Sequence, residues 1–210
     1  MHMAYIEEGK TNTQFICNDV KKKVFLIGDS IRKGYCAFTR EALSDIAEVF
    51  YSDDNCRNTQ YVITNLNGWV NMFSDPTCVD VVQFNCGHWD IAHWRGGELS
   101  LTSEDEYARN IQIIICMISE LFPRAKIVFA TTTTMNPSGR IGINPRTNEE
   151  ISRYNEIAKA VASKNNILIN DLFAITKEWD CSYYKDYCHF TDEANVILGQ
   201  TVATTLKSYL

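Results

Sequence analysis

The sequence predicts a three-layer α/β/α sandwich built on a five-stranded parallel sheet of flavodoxin-like type. Three observations carry that expectation. Short, almost wholly apolar runs rich in β-branched residues recur along the chain, as strands buried on both faces do. Stretches with apolar residues at helical spacing separate those runs. Several of the runs end in a polar cluster, and parallel sheets of this kind bind ligands beyond the carboxyl ends of their strands.

The first run, Val24-Phe25-Leu26-Ile27, breaks at Gly28 and delivers Asp29 and Ser30. From Ser30 to Leu43 the residues Ile31, Tyr35, Phe38 and Leu43 share one helical face. Ala47 to Tyr51 reads as a second strand ending in the polar loop Ser52 to Arg57, and Tyr61, Val62, Leu66, Trp69 and Val70 define a helix from Asn58 to about Met72 that contains Gly68. Val79 to Phe84 is the third strand, followed by Asn85-Cys86-Gly87-His88-Trp89-Asp90. Ser103-Glu104-Asp105-Glu106 reads as a capping box opening a helix with Ile111, Ile114, Ile115 and Ile118 inward, which Pro123 stops. Lys126 to Ala130 is the fourth strand, and it runs into Thr131 to Thr134 and a long loop with Pro137, Gly139, Gly142 and Pro145. A capped helix begins at Thr147, Ile167 to Ile169 is the fifth strand, and a last helix carries Leu198, Val202 and Leu206.

At 210 residues the chain suits a single domain with a substantial core. Residues 1–20 are expected as an N-terminal arm or tail and 21–210 as the domain. A net charge of −6 argues against a nucleic-acid partner, which would need a concentrated basic face; Lys21-Lys22-Lys23 reads as the solvated approach to the first strand. No stretch approaches the roughly 20 apolar residues of a membrane span. Met1 to Gln14 lacks the apolar core of a secretory signal, so a cytoplasmic location is expected, with a secreted mature form left open because a removed signal leaves no trace. The eight cysteines are expected mostly as free thiols. Neither Cys86, His88 and His93 nor Cys181, Cys188 and His189 has the spacing of a structural zinc site, so no metal is expected.

Ser30 at a strand-to-helix turn would project its hydroxyl from the sheet edge and carry one of the unpaired N–H groups of a helix start. It reads equally as a helix N-cap. Asp186 and His189, three residues apart before the last helix, supply what a nucleophilic serine needs: a carboxylate able to fold onto imidazole Nδ1, leaving Nε2 to take a proton.

Gly28-Asp29-Ser30 early and Asp186-x-x-His189 late, on such a sheet, resemble the SGNH/GDSL hydrolase superfamily over nearly the whole stretch from Lys23 to Leu210. Gly28-Asp29-Ser30-Ile31-Arg32-x-Gly34-Tyr35, Asp54-Asn55-Cys56-Arg57 and Phe84-Asn85-x-Gly87-His88-Trp89-Asp90 are most similar to the branch holding carbohydrate O-acetyl esterases. The third segment is also similar to plant polysaccharide acetyltransferases. The resemblance implies ester hydrolysis through a covalent intermediate, with Ser30 as nucleophile, His189 as base and acid, Asp186 orienting His189, and no metal or organic cofactor. The expected substrate is a small-molecule or oligosaccharide ester.

The chain departs from the family's pattern at the oxyanion hole. Ser30 N–H is one expected donor. The second block normally offers a glycine N–H, but this chain has Asn55-Cys56-Arg57, so the Cys56 N–H is expected in its place and Gly68, a helix away, ranks below it. The third block normally ends in Gly-x-Asn-Asp; Trp89 stands at the asparagine position, which leaves Asn85 as the expected side-chain donor with His88 as its rival. Arg57, Trp89, Trp94 and Tyr184 are the candidates for binding substrate, the aromatic rings by stacking on a sugar. The absence of a long apolar groove-lining stretch favours a short acyl group. A lysophospholipase, thioesterase or acyltransferase with the same triad, or a non-catalytic ligand-binding module on the same fold, are the alternatives. The sequence leaves the oligomeric state open.

Overall fold

The computed structural model describes residues 21–139 and 142–210, so the expected arm at residues 1–20 lies outside the described residues. Five parallel strands, β1 (Lys22–Ile27), β2 (Ala47–Tyr51), β3 (Val81–Phe84), β4 (Lys126–Ala130) and β5 (Leu168–Asn170), form one sheet in the order β2-β1-β3-β4-β5. The strand order reverses between β1 and β3, and that switch point is where an open α/β sheet leaves a crevice. In register, Phe25 pairs with Phe50 on one side and Val82 on the other.

Alternate strand residues face opposite layers. Val24, Leu26, Val81 and Val128 pack under α1 (Ser30–Ala42) and α7 (Asp192–Lys207), while Phe25, Ile27, Val82, Phe84 and Phe129 pack under α2 (Thr59–Val70), α4 (Glu104–Leu121) and α5 (Asn148–Lys164). Two short helices, α3 (His88–Ile91) and α6 (Leu172–Thr176), carry too few residues to show a period in the sequence.

Local chemistry sets the boundaries. Asp75 caps a 3₁₀ turn over Pro76–Cys78, so β3 begins two residues later than the apolar run suggests. Thr147 and Glu150 make the full reciprocal capping box at α5. At α4 only half of one forms, because Ser103 accepts from the Glu106 N–H while the Glu106 carboxylate accepts from Gln60 Nε2 at 2.7 Å. Six described cysteines are free, in line with the expectation for most of them, and Cys78 is disulfide-bonded. No helix among the described residues is long and apolar enough to cross a membrane.

Two features align the edge of the sheet. Helices α1 and α7 lie side by side, close enough that a Cβ on Gly34 would stand 2.5 Å from Asn195 Oδ1 and one on Gly199 would stand 2.5 Å from Phe38 Cβ. Beyond β4, the run Thr131 to Thr134 is buried rather than a free loop. Thr132 Oγ1 donates to the Cys86 carbonyl (3.0 Å) and Thr134 Oγ1 to that of Thr176 (3.0 Å), while Asn136 takes the Tyr187 carbonyl with its N–H (2.9 Å) and that of Asp186 with Nδ2 (2.8 Å). This strap fixes the end of β3, α6 and the turn before α7 relative to one another.

Candidate active site

Asp29 is the residue that caps α1: its Oδ1 accepts from the Ile31 N–H at 3.0 Å. Ser30 is therefore the first residue of the helix rather than its cap, and its Oγ is free to point outward. Asp29 is buried, and desolvation raises its carboxyl pKa, partly offset by the Ile31 bond.

Asp186 folds its own turn. Its Oδ1 accepts from the N–H groups of Cys188 and His189, both at 2.8 Å, and its Oδ2 lies 2.7 Å from His189 Nδ1. A carboxylate only accepts, so Nδ1 carries the proton and Nε2 of the neutral ring is left as an acceptor. Nε2 lies 2.8 Å from Ser30 Oγ. Burial pushes the Asp186 pKa up, but the bonds from Cys188 and His189 outweigh it and hold the carboxyl below its usual range. Ser30 and His189 reach this contact because they stand at the amino ends of the two close-packed helices α1 and α7.

A cavity of about 150 Å³ opens over Ser30 and His189, walled by Asn55, His88, Trp89, Tyr187 and Arg146 among others. Arg146 arrives from the loop before α5. Its Nε donates to His88 Nδ1 (3.1 Å), and its terminal nitrogens face the Asn144 carbonyl (3.3 Å) and Cys188 Sγ (3.6 Å). Because His88 Nδ1 accepts, Nε2 carries the ring proton toward Thr133 Oγ1 at 3.1 Å. Burial first, and Arg146 second, hold the His88 pKa well below its usual value, so this histidine is neutral.

The backbone is similar to that of an acetyl xylan esterase, with a TM-score of 0.70 at 19% identity over 88% of this chain and 99% of that one. It is similar also to a lipase/acylhydrolase from Enterococcus faecalis (TM-score 0.71, 19% identity, 89% of this chain and 96% of that one). A carbohydrate acetylesterase from Sinorhizobium meliloti gives a TM-score of 0.68 at 13% identity over 90% of this chain and 100% of that one. The fold is that of the SGNH/GDSL hydrolases. No family model matches the chain, and no curated protein does.

Against the SGNH pattern, the structure corrects most of the oxyanion-hole expectations. Cys56 cannot offer its N–H, because that group donates to the Gly28 carbonyl at 3.1 Å. Asn85 is buried over Gly28, where a Cβ on the glycine would overlap its amide oxygen, and it does not line the Ser30 cavity. The His88 ring has both nitrogens engaged, by Arg146 and Thr133. Gly68 stands on the outer face of α2, where an added Cβ would meet nothing within 4 Å. Two groups remain. Ser30 N–H belongs to the first turn of α1, where helical N–H groups lack intrahelical acceptors. Asn55, absent from the expected donors, walls the cavity, and because its Oδ1 accepts from the Arg57 N–H (3.1 Å) its Nδ2 is the end left to donate.

The substrate candidates also separate. Trp89 walls the cavity over Ser30, and its ring lies 6.2 Å from that of Trp94, which is half exposed just outside. Arg57 is turned away, its guanidinium 4.7 Å from the centre of the Tyr61 ring. Tyr184 is buried, shares a 2.6 Å hydrogen bond with Thr134, and borders a different cavity. Arg146 was not foreseen, and the only local signal for it was its place in the loop beyond β4.

Among the described residues, the one group of side chains with metal-ligand spacing is Asp186, Cys188 and His189. Two of the three are held by their mutual hydrogen bond. The third is a thiol whose pKa burial pushes up to about 12, which disfavours the thiolate a metal would bind.

Proposed function

We propose that the protein is a serine esterase that hydrolyses short-chain acyl esters, acetyl above all, of a carbohydrate alcohol. The observation that carries this reading is the continuous chain from Ser30 Oγ through the His189 ring to Asp186, at 2.8 and 2.7 Å. Such a chain makes a serine nucleophilic at neutral pH, since the imidazole takes the hydroxyl proton as Oγ bonds to carbon.

In the first half-reaction Ser30 Oγ attacks the ester carbonyl and its proton passes to His189 Nε2. Asp186 balances the imidazolium that forms. As the tetrahedral intermediate collapses, the alcohol leaves with the proton from Nε2, and the acyl group stays on Ser30. Water then gives a proton to Nε2 and attacks the acyl carbon; collapse releases the acid and returns the proton to Ser30. Ser30 N–H and Asn55 Nδ2 are the donors for the oxyanion, each worth about 2.7–4 kcal/mol of barrier.

Two observations favour a small acyl group. The cavity over Ser30 holds only about 150 Å³, and Trp89, Ala92 and Tyr187 are among its walls. Two of the similar structures are an acetyl xylan esterase and a carbohydrate acetylesterase. The test is turnover of 4-nitrophenyl esters of graded chain length, beside acetate release from acetylated oligosaccharides, by the wild type and Ser30→Ala. Acetyl esters should react fastest and Ser30→Ala should not turn over. Preference for long chains would refute the acetyl reading, and undiminished Ser30→Ala turnover would refute the serine mechanism.

A further inference from the structure

The cavity over Ser30 is one of two that meet at Arg146. The larger, of about 710 Å³, shares Arg146 as a wall and lies between the loop after β4 and the start of α5, with His93, Asn136, Thr147 and Arg153 also in its walls. A volume of that size suits a sugar-sized ligand, whereas the small cavity suits an acetyl group. If the acyl portion fills the small one, the alcohol portion extends into the large one and passes the Arg146 guanidinium.

Among the described residues, the charged side chains lining this cavity are paired except at Arg146. Arg153 faces Glu104 at 3.2 Å. His93 presents both ring nitrogens to acceptors, Nδ1 to the Gly97 carbonyl (2.8 Å) and Nε2 to Glu150 Oε1 (2.6 Å), so it is an imidazolium that neutralises Glu150. Asp186 is engaged by His189 at 2.7 Å. Arg146 touches a neutral imidazole, a carbonyl and a thiol, and among the described residues it forms no ion pair. Of the five guanidinium N–H groups, those three contacts leave two on the terminal nitrogens without a protein acceptor. The charge of Arg146 acts on the buried Asp29 carboxyl, but among the described residues no carboxylate stands within ion-pair distance of the guanidinium, which is held through a buried neutral histidine and left open to an incoming anion. A planar guanidinium favours a planar carboxylate.

We propose that the alcohol portion of the ester carries a carboxylate, as on an acidic sugar, and that Arg146 binds it from the wall shared by the two cavities. This rests on the esterase reading above and specifies its substrate class. Glu149 also lies near the start of α5, so the anion must approach from the His93 side of the cavity, where Glu150 is already neutralised.

The test compares an acetylated methyl glucuronoside with its carboxyl methyl ester, which differ in one charge, by acetate release and by calorimetric binding of the corresponding deacetylated sugars. The wild type should favour the acid at least about tenfold in kcat/KM and in Kd, the scale of a hydrogen bond to a charged group. Arg146→Gln should bring both ratios close to one, and Arg146→Lys should keep part of the preference, because an ammonium retains the charge without the fork. Unfolding temperatures of both variants establish that they fold. Equal handling of acid and methyl ester by the wild type, or a preference that survives in Arg146→Gln, would overturn the proposal. Should no ester, aryl acetates included, be hydrolysed, the esterase reading fails on its own, and the calorimetric ratio still decides whether Arg146 selects a carboxylate.

Discussion

Gly199 of α7 lies so close to Phe38 of α1 that a side-chain carbon on the glycine would stand 2.5 Å from Phe38 Cβ and 3.0 Å from the Thr39 nitrogen. The Thr39 hydroxyl donates to the Gly199 carbonyl across the same contact at 3.2 Å. Ser30 and His189 stand at the amino ends of these two helices, so their 2.8 Å contact depends on how closely the helices approach. Gly199→Ala should cost about 1–3 kcal/mol by overpacking. It should also lower kcat, because the helices part and Nε2 withdraws from Ser30. Urea unfolding and steady-state kinetics check both effects, and a variant with undiminished kcat would show that this contact does not align the triad.

Asp186→Asn should leave the turn largely folded, since an amide oxygen can still accept from the Cys188 and His189 N–H groups. Its amide nitrogen would then donate toward His189 Nδ1, moving the ring proton to Nε2 and leaving no acceptor for the serine proton. A fall in kcat of about 10³–10⁴-fold is expected, on the scale seen when a triad histidine is held in the wrong tautomer. Circular dichroism and kcat, measured together, distinguish this from unfolding.

His93 ties the segment after α3 to the capping box of α5. Its contact with Glu150 is the chief cause of its raised pKa. A raised folded-state value means that the stabilisation is fully present below the unfolded value of about 6.5 and is lost as pH rises through the folded one. His93→Gln should cost about 0.2–1 kcal/mol at pH 5.5 and progressively less as pH rises through the raised folded-state value. Paired urea titrations of wild type and variant across that range read the difference.

Asp90 receives the Thr59 N–H on both oxygens at 3.1 Å and the Thr59 hydroxyl at 2.6 Å, which fixes the start of α2. Burial raises its pKa from 3.8 to about 6, the Thr59 bonds opposing it. The sign is opposite to that of the usual surface carboxylate: its contribution to stability is greatest below pH 4 and declines as pH rises to about 6. The stability of wild type relative to Asp90→Asn should therefore fall from pH 4 to pH 6 and level off above. Thermal unfolding of both proteins across that interval checks the slope.

The five strands and the five long helices were legible because they carry unbroken apolar runs or whole turns of period. The four-residue α3 and five-residue α6 were not. Ser30, Asp186 and His189 were legible as a set, since a strand-end serine and a turn-forming Asp-x-x-His pair each show in local sequence. Of the candidate oxyanion donors only Ser30 N–H was legible, because whether any other N–H is free depends on remote partners. The Cys56 N–H is taken by the Gly28 carbonyl, and the His88 ring by Thr133 and by Arg146, 58 residues away. Arg57 and Arg146 look alike in sequence; only tertiary structure turns the first onto Tyr61 and the second into the cavity.

The central claim is that Ser30 becomes acylated through His189. The most direct measurement is peptide mapping by mass spectrometry after exposure to an organophosphate ester, with residual turnover of 4-nitrophenyl acetate followed in the same sample. A single adduct on Ser30, forming at the rate at which activity disappears, is the predicted result. Complete loss of activity with Ser30 unmodified, or full activity with Ser30 modified, would contradict it.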